Sequence, residues 1–168
     1  MKIERKELVK FTVIILIFNI VLVFLTVLFF KRMDSNIPLA TPAYGVKFSY
    51  EIIKHNLFHL IMTLLTFPIS ALTISINWLL ISFSIGLAIH LTGLDMTLYY
   101  LLPHGLIEMP TVIFYQFLAW KMMIQFWQKQ QLTPIICFLK DNRYYLMLTI
   151  LATILSGIIE GSGWKLFM

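Results

Sequence analysis

Apolar residues run along this chain in long blocks separated by short polar gaps. The first block, FTVIILIFNIVLVFLTVLFF, covers residues 11–30. At about 1.5 Å per residue it matches the roughly 30 Å hydrocarbon core of a bilayer. Lys2, Arg5, Lys6 and Lys10 precede it, as in a signal peptide, but the block is long for that role. Lys31 and Arg32 come directly after it where small cleavage-site residues would stand, so it reads as a permanent helix. The run from Asn56 to Thr92 is too long for one crossing, because a single helix of that length would reach about 55 Å. Pro68 and the SINW stretch around Asn77 interrupt it. This predicts a tight hairpin of two short spans, 56–74 and 77–92. After a gap with Gly93 and Asp95, a fourth span is predicted over 104–124. A basic loop with Lys121, Lys129, Lys140 and Arg143 leads to a fifth, from Tyr144 to Trp164. Backbone polar groups in lipid need internal partners, so all these spans must be helices. The stretch TPAYGVKFSYEIIKHN, 41–56, predicts an interfacial amphipathic helix with Thr41 as its cap and Pro42 at its first position. The expected fold is all-α, a polytopic integral membrane protein forming one membrane domain over 1–168. It has about five transmembrane helices, a short helical hairpin and the interfacial helix.

Composition agrees with that solvent. The chain has 168 residues, 60% hydrophobic and 12% charged, where a soluble domain carries about 25% charge. The net charge of +5 is read as headgroup-facing loops and not as a nucleic-acid surface. The single cysteine, Cys137, excludes an internal disulfide framework. With five crossings, the N-terminal side holds Lys2, Arg5, Lys6, Lys10, Lys121, Lys129, Lys140 and Arg143. Only Lys31, Arg32, Lys47, Lys54 and Lys165 lie opposite. The excess predicts a multi-pass protein of the bacterial plasma membrane with a cytoplasmic N-terminus.

Five crossings also gather the polar side chains. Spans two and four start on the non-cytoplasmic side, and spans three and five end there. His55, Asn56, His59, His90, His104, Glu108 and Glu160 therefore fall on one side of the membrane at similar shallow depth. A charged residue at the bilayer centre costs about 2.5–3.5 kcal/mol on insertion scales, and burial favours the neutral form of a carboxyl. One reading has Glu108 and Glu160 snorkelling to the interface. The other has both facing a polar cavity inside the bundle.

The motif LLPHGLIEMP, 101–110, carries the sharper version. His104 and Glu108 are spaced i, i+4 and share a helix face. Pro103 suits a helix start. Pro110 cannot donate to the carbonyl of Leu106 and leaves it free beside the acid. Pro68, Pro103, Gly105 and Pro110 are the expected hinge positions. In EIIKHNLFH, Glu51, His55 and His59 share a face, and two histidines at i, i+4 can bind zinc. The catalytic pattern H-E-x-x-H, however, has its general base where Asn56 stands. The plainer reading is a headgroup or water contact, so no metal and no cofactor is expected. Asn19, midway along the first span, is read as an interhelical hydrogen bond. No G-x-x-x-x-G-K-[ST] loop and no G-x-S-x-G elbow is present. Energy would have to come from a partner or an ion gradient.

The segment LLPHGLIEMPTVI, 101–113, resembles the signature of the stage II sporulation protein M family. The match carries Pro103, His104, Gly105, Glu108 and Pro110. Asn56 in HNLFH looks like the family's asparagine before an interrupted hairpin. Asn77 and Gly86 look like its hairpin asparagine and following glycine, and Glu160 in SGIIEG looks like its closing acid. The resemblance spans roughly residues 50–163, although FPISALTISIN lacks the glycines usual in that hairpin. It implies one of two settings. One is an engulfment complex with peptidoglycan-cutting partners in spore formers. The other is maturation, export or immunity of a circular bacteriocin, beside small membrane proteins and an ABC-type ATPase. The short chain, rich in Ile, Phe and Lys, favours the second.

Two main function classes are compatible with these features. The first is a non-enzymatic transport or immunity subunit whose polar cluster of Asn56, His59, His90, His104, Glu108 and Glu160 binds a peptide or ion. Its partners would be other membrane proteins, including the ATPase contacted through the basic loop 121–143, and it could be oligomeric. The second is an intramembrane peptidase or ligase with Glu108 as general base and His104 as its catalytic partner. Against the second, no nucleophile stands out. A purely structural scaffold is the third reading.

Overall fold

In the computed structural model, residues 3–31 and 45–162 are described, apart from the side chains of residues 100, 102–104, 161 and 162. They form α1 (Arg5–Phe30), α2 (Val46–Leu65), a single 3₁₀ turn (Phe67–Ile69), α3 (Ser70–Thr92), α4 (Leu94–Lys129), α5 (Thr133–Asp141) and α6 (Arg143–Ser162). Among the described residues, three stretches are long and apolar enough to cross a membrane, at 5–30, 67–92 and 143–160. Among the described residues the fold is all-helical, and its three candidate spans mark a membrane protein. Its surface agrees: Ile17, Ile20, Phe24, Leu148 and Leu151 are more than half exposed, as lipid-facing side chains should be.

The helices pack in two pairs around one centre. α1 lies along α3, α2 lies along α6, and α4 runs between the pairs. The central helix is the best-buried element. Tyr115, Gln116, Phe117, Leu118, Ala119 and Met122 are all nearly inaccessible. Leu118 and Met122 pack against Ile135 and Phe138 of α5, which makes α5 a short amphipathic helix with one face on the bundle.

Two close approaches set the pairs. Gly86 of α3 lets the backbone of α1 come near, since a Cβ there would run into Thr26 Oγ1 and lie 2.7 Å from Thr26 Cβ. Gly157 does the same for α6, where a Cβ would lie 2.6 Å from Ile53 Cγ1 and 3.2 Å from its backbone nitrogen. Small residues at helix contacts are how membrane helices gain van der Waals packing without a hydrophobic driving force.

Several boundaries differ from the sequence expectations. The predicted interfacial helix and second span are one continuous helix from Val46, because nothing between Glu51 and Asn56 breaks the backbone ladder. Its expected cap, Thr41, and first position, Pro42, lie outside the described residues. The hairpin turns at Thr66–Ile69, where Pro68 cannot donate a helical bond. Asn77 is therefore an interior residue of α3 and not a turn residue.

The central helix starts at Leu94, ten residues before the predicted fourth span. The break before it is Gly93 alone, at φ +83, a left-handed conformation that glycine adopts without a Cβ penalty. Pro103, Gly105 and Pro110 consequently stand inside an unbroken helix and do not separate elements. Membrane helices tolerate such prolines when neighbouring groups re-satisfy the freed backbone. The basic loop also shrinks. Helix α4 continues to Lys129, and α5 occupies most of the stretch between α4 and α6. Lys121 is buried in α4, where its Nζ donates to both Glu7 oxygens at 2.9 and 3.0 Å. That ion pair joins the start of α1 to the second half of α4.

Candidate functional site: a polar cavity between four helices

Helix periodicity builds the site. On α4, Glu108, Thr111, Val112 and Tyr115 recur at i, i+3, i+4 and i+7 and so present one face. On α2, His55, Asn56 and His59 span one turn. Asn77 and Ile81 of α3 and Thr153 and Ser156 of α6 complete the wall. Together they enclose a cavity of about 160 Å³. At roughly 30 Å³ per water, it holds about five waters or one small polar group.

Two side-chain pairs organise this cavity. Asn56 Nδ2 donates to Glu108 Oε1 at 3.4 Å, which ties α2 to α4 across 52 positions of sequence. One turn deeper, His59 Nδ1 and the Tyr115 hydroxyl lie 2.7 Å apart, with the rings edge to face at 5.9 Å between centroids. Asn77 stands beside the His59 ring, while its Nδ2 is buried without a protein partner. Ser156 Oγ is likewise buried and unpartnered. Buried polar atoms are nearly always satisfied, so these two atoms point to something polar in the cavity.

Each singled-out residue has a definite place. Asn56, His59 and Glu108 line the cavity. Glu160 is half-buried on α6 and is not in the wall. It is coupled to the wall through His55, which lines the cavity and is within electrostatic range of Glu160. His104 belongs to α4, with its side chain outside the described residues, as is that of Pro103. His90 stands apart. It lies nine residues beyond Ile81, about 14 Å along α3, and its ring stacks on Phe30 at 6.0 Å. Among the described residues, no three His, Cys, Asp or Glu side chains gather as a metal cage. Sequence reasoning passed over Tyr115, Thr111, Thr153 and Ser156. The available signal was that Tyr115 lies seven residues after Glu108 and Thr153 three before Ser156, each pair on one helix face.

Outside the cavity, Gln116 Nε2 and His90 Nε2 are also buried without a protein partner, but a chain of direct bonds joins the other polar groups near Trp78. Asn19 Nδ2 donates to Ser82 Oγ at 2.8 Å, and Ser82 donates in turn to the Trp78 carbonyl. Trp78 Nε1 donates to Gln116 Oε1 at 2.6 Å. These bonds pin α1 and α4 to α3. No protein-family model, curated protein or solved structure matches the chain.

Proposed function

We propose that this protein is a multi-pass subunit of a peptide-handling membrane complex. It works by taking a small polar group, or a proton with its water, into the α2–α3–α4–α6 cavity. The observation that carries this reading is the cavity itself: a carboxylate, two imidazoles and a phenol share a space of about 160 Å³, whereas Asn19, Ser82 and Trp78 elsewhere in the bundle are bonded to specific acceptors. An intramembrane acid is retained against its insertion cost where it serves a polar pathway. The volume suits the end of a peptide or one polar side chain, not a folded cargo.

In this reading α2 and α4 cross the membrane as well, giving five crossings with the N-terminus in the cytoplasm. Val46–Leu65 is 20 residues long, about 30 Å. Its first half carries Lys47, Glu51 and Lys54, which keeps its hydropathy low at the headgroup end. Over residues 111–122 the central helix is shielded from lipid by its neighbours. The likeness to the stage II sporulation protein M family supplies the setting: maturation, export or immunity of a bacteriocin-type peptide, with partner membrane proteins and an ABC-type ATPase.

The test is complementation of a deletion strain scored for peptide export and survival. Glu108→Gln should abolish function while its abundance in the membrane is unchanged, because the amide keeps the shape and loses the ionisable oxygen. Tagged protein purified from its own membranes should bring an ATPase with it. Full activity of Glu108→Gln would remove the cavity acid from the mechanism, and full activity of the pure chain in liposomes would remove the partner.

A further inference from the structure

A second cavity, larger and of opposite character, opens between α1, α3 and α4. Its volume is about 680 Å³. Phe11, Ile15, Ile74, Phe117 and Trp120 form its walls. Two small exposed residues, Ala71 and Ser75, also line it, and the Ser75 hydroxyl donates to the Ala71 carbonyl at 2.8 Å. Away from its charged end the lining is apolar apart from the Ser75 hydroxyl, a surface that suits hydrocarbon better than water.

One end of the groove is charged. Glu7, Lys10 and Lys121 line it. Lys121 is 9% exposed and takes both Glu7 oxygens. Lys10, three residues after Glu7 on the same helix face, brings a second ammonium to the same place. One carboxylate against two ammonium groups leaves one positive charge in excess. Arg5 and Lys6, just before it on α1, put this end at headgroup level. From Lys10 to Phe18 the groove runs along α1 for about 12 Å toward the membrane interior. Trp120, next to Lys121, has the amphipathic ring that favours the boundary between the two regions.

We propose that this groove is a binding site for one anionic phospholipid, with an acyl chain between α1, α3 and α4 and the headgroup phosphate against Lys10 and Lys121. A helix from a second copy would lay apolar surface over the unneutralised lysine, whereas a lipid phosphate supplies the missing negative charge. The site rests on the chain being a membrane protein and not on the polar cavity, so the two readings fail separately.

The test uses the full chain, purified in non-ionic detergent and stripped of lipid, with phosphatidylglycerol or phosphatidylcholine of identical chains added. Native mass spectrometry reads bound lipid, and thermal unfolding reads stabilisation. One net charge near the headgroup plane predicts about a fivefold preference for phosphatidylglycerol, with one molecule retained per chain. Lys10→Gln should erase most of the preference and keep the fold, since Lys10 is exposed. Ala71→Trp, which puts an indole into the groove from its α3 side, should lose retention of both lipids, while Glu108→Gln should bind as the parent does. Equal binding of the two lipids overturns the proposal. So does stabilisation by inorganic phosphate equal to that by phosphatidylglycerol, or a lipid-free dimer cross-linked through the groove.

Discussion

Replacing Gly86 by Ala should destabilise the protein, and replacing Gly105 by Ala should stabilise it, although both glycines lie inside apolar helices. At Gly86 the new methyl collides with Thr26 Oγ1, lies 2.7 Å from Thr26 Cβ and reaches within 3.3 Å of the Val27 nitrogen. Rotating the Thr26 side chain relieves only the first contact, so α1 must move away from α3. Overpacking of this kind costs about 1–3 kcal/mol. The move also endangers the bond from Thr26 Oγ1 to the Ser82 carbonyl, 3.1 Å long, and interhelical bonds in membranes average about 0.6 kcal/mol. Against these stands the helix preference for Ala over Gly, about 1 kcal/mol. The balance is a loss on the order of 2 kcal/mol. At Gly105 the nearest atom to a new Cβ is Leu101 Cγ at 3.8 Å, ordinary contact, so only the gain of about 1 kcal/mol is left. The assay is reversible unfolding of purified protein in mixed micelles with increasing dodecyl sulfate. The double variant Thr26→Ala, Gly86→Ala should recover part of the loss. If Gly86→Ala is as stable as the parent, the close approach of α1 and α3 is wrong. If Gly105→Ala is destabilising, the open side of α4 is wrong.

Other contacts give further expected outcomes. Trp78→Phe removes the indole donor to Gln116 Oε1 in a site with almost no solvent. It should cost about 1–3 kcal/mol in the same unfolding assay, and Gln116→Leu added to it should restore part of that. Asn19→Ala should cost up to about 1.7 kcal/mol, the upper end for such bonds. A cost at Ser82→Ala that simply adds to it would contradict the Asn19–Ser82 pair. In a Cys137→Ser background, cysteine at Asp95 should react with an impermeant reagent from outside the cell and cysteine at Gln131 should not. The reverse pattern would invert the proposed orientation.

How much of the fold is legible in the sequence depends on how local each signal is. A solitary Asn19 in an unbroken apolar run announces a hydrogen bond, because an amide in hydrocarbon must find a partner. It does not name Ser82, 63 positions away, since that depends on which helices become neighbours. Pro68 marks a turn because a missing N–H acts on its own backbone. Pro103 and Pro110 carry the same missing donors yet do not break α4. Their neighbours along and across the bundle decide whether a helix survives, and the local sequence does not specify those neighbours. The segment between the first two spans misleads in the opposite direction. Lys47, Glu51 and Lys54 look like an interfacial helix, but charge alone does not stop a helix, and α2 runs on to Leu65. Glu108 and Asn56 are visible as polar exceptions in apolar runs. Tyr115 is not, because an aromatic ring with a hydroxyl reads as ordinary core until the opposite helix brings His59 to it.

Two sets of polar groups in this bundle contrast, and the difference bears on why the cavity exists. Asn19, Ser82 and Trp78 each spend their donors on a specific acceptor, and each bond joins two helices or closes a turn. Such groups specify which helices meet. The cavity groups do this incompletely. Asn56 reaches Glu108 only at 3.4 Å, and the Asn77 amide nitrogen and Ser156 hydroxyl are buried without a protein partner. For holding helices together, an apolar wall would serve better, because a partly satisfied buried network is worse than none. Filling the space by Ser156→Leu, Thr153→Val and Asn77→Leu should therefore raise the resistance to dodecyl sulfate while abolishing biological activity. A filled variant that keeps full activity would mean that the cavity is a packing defect. A filled variant that unfolds more readily would mean that its polar groups are structural, held by water that the bundle needs.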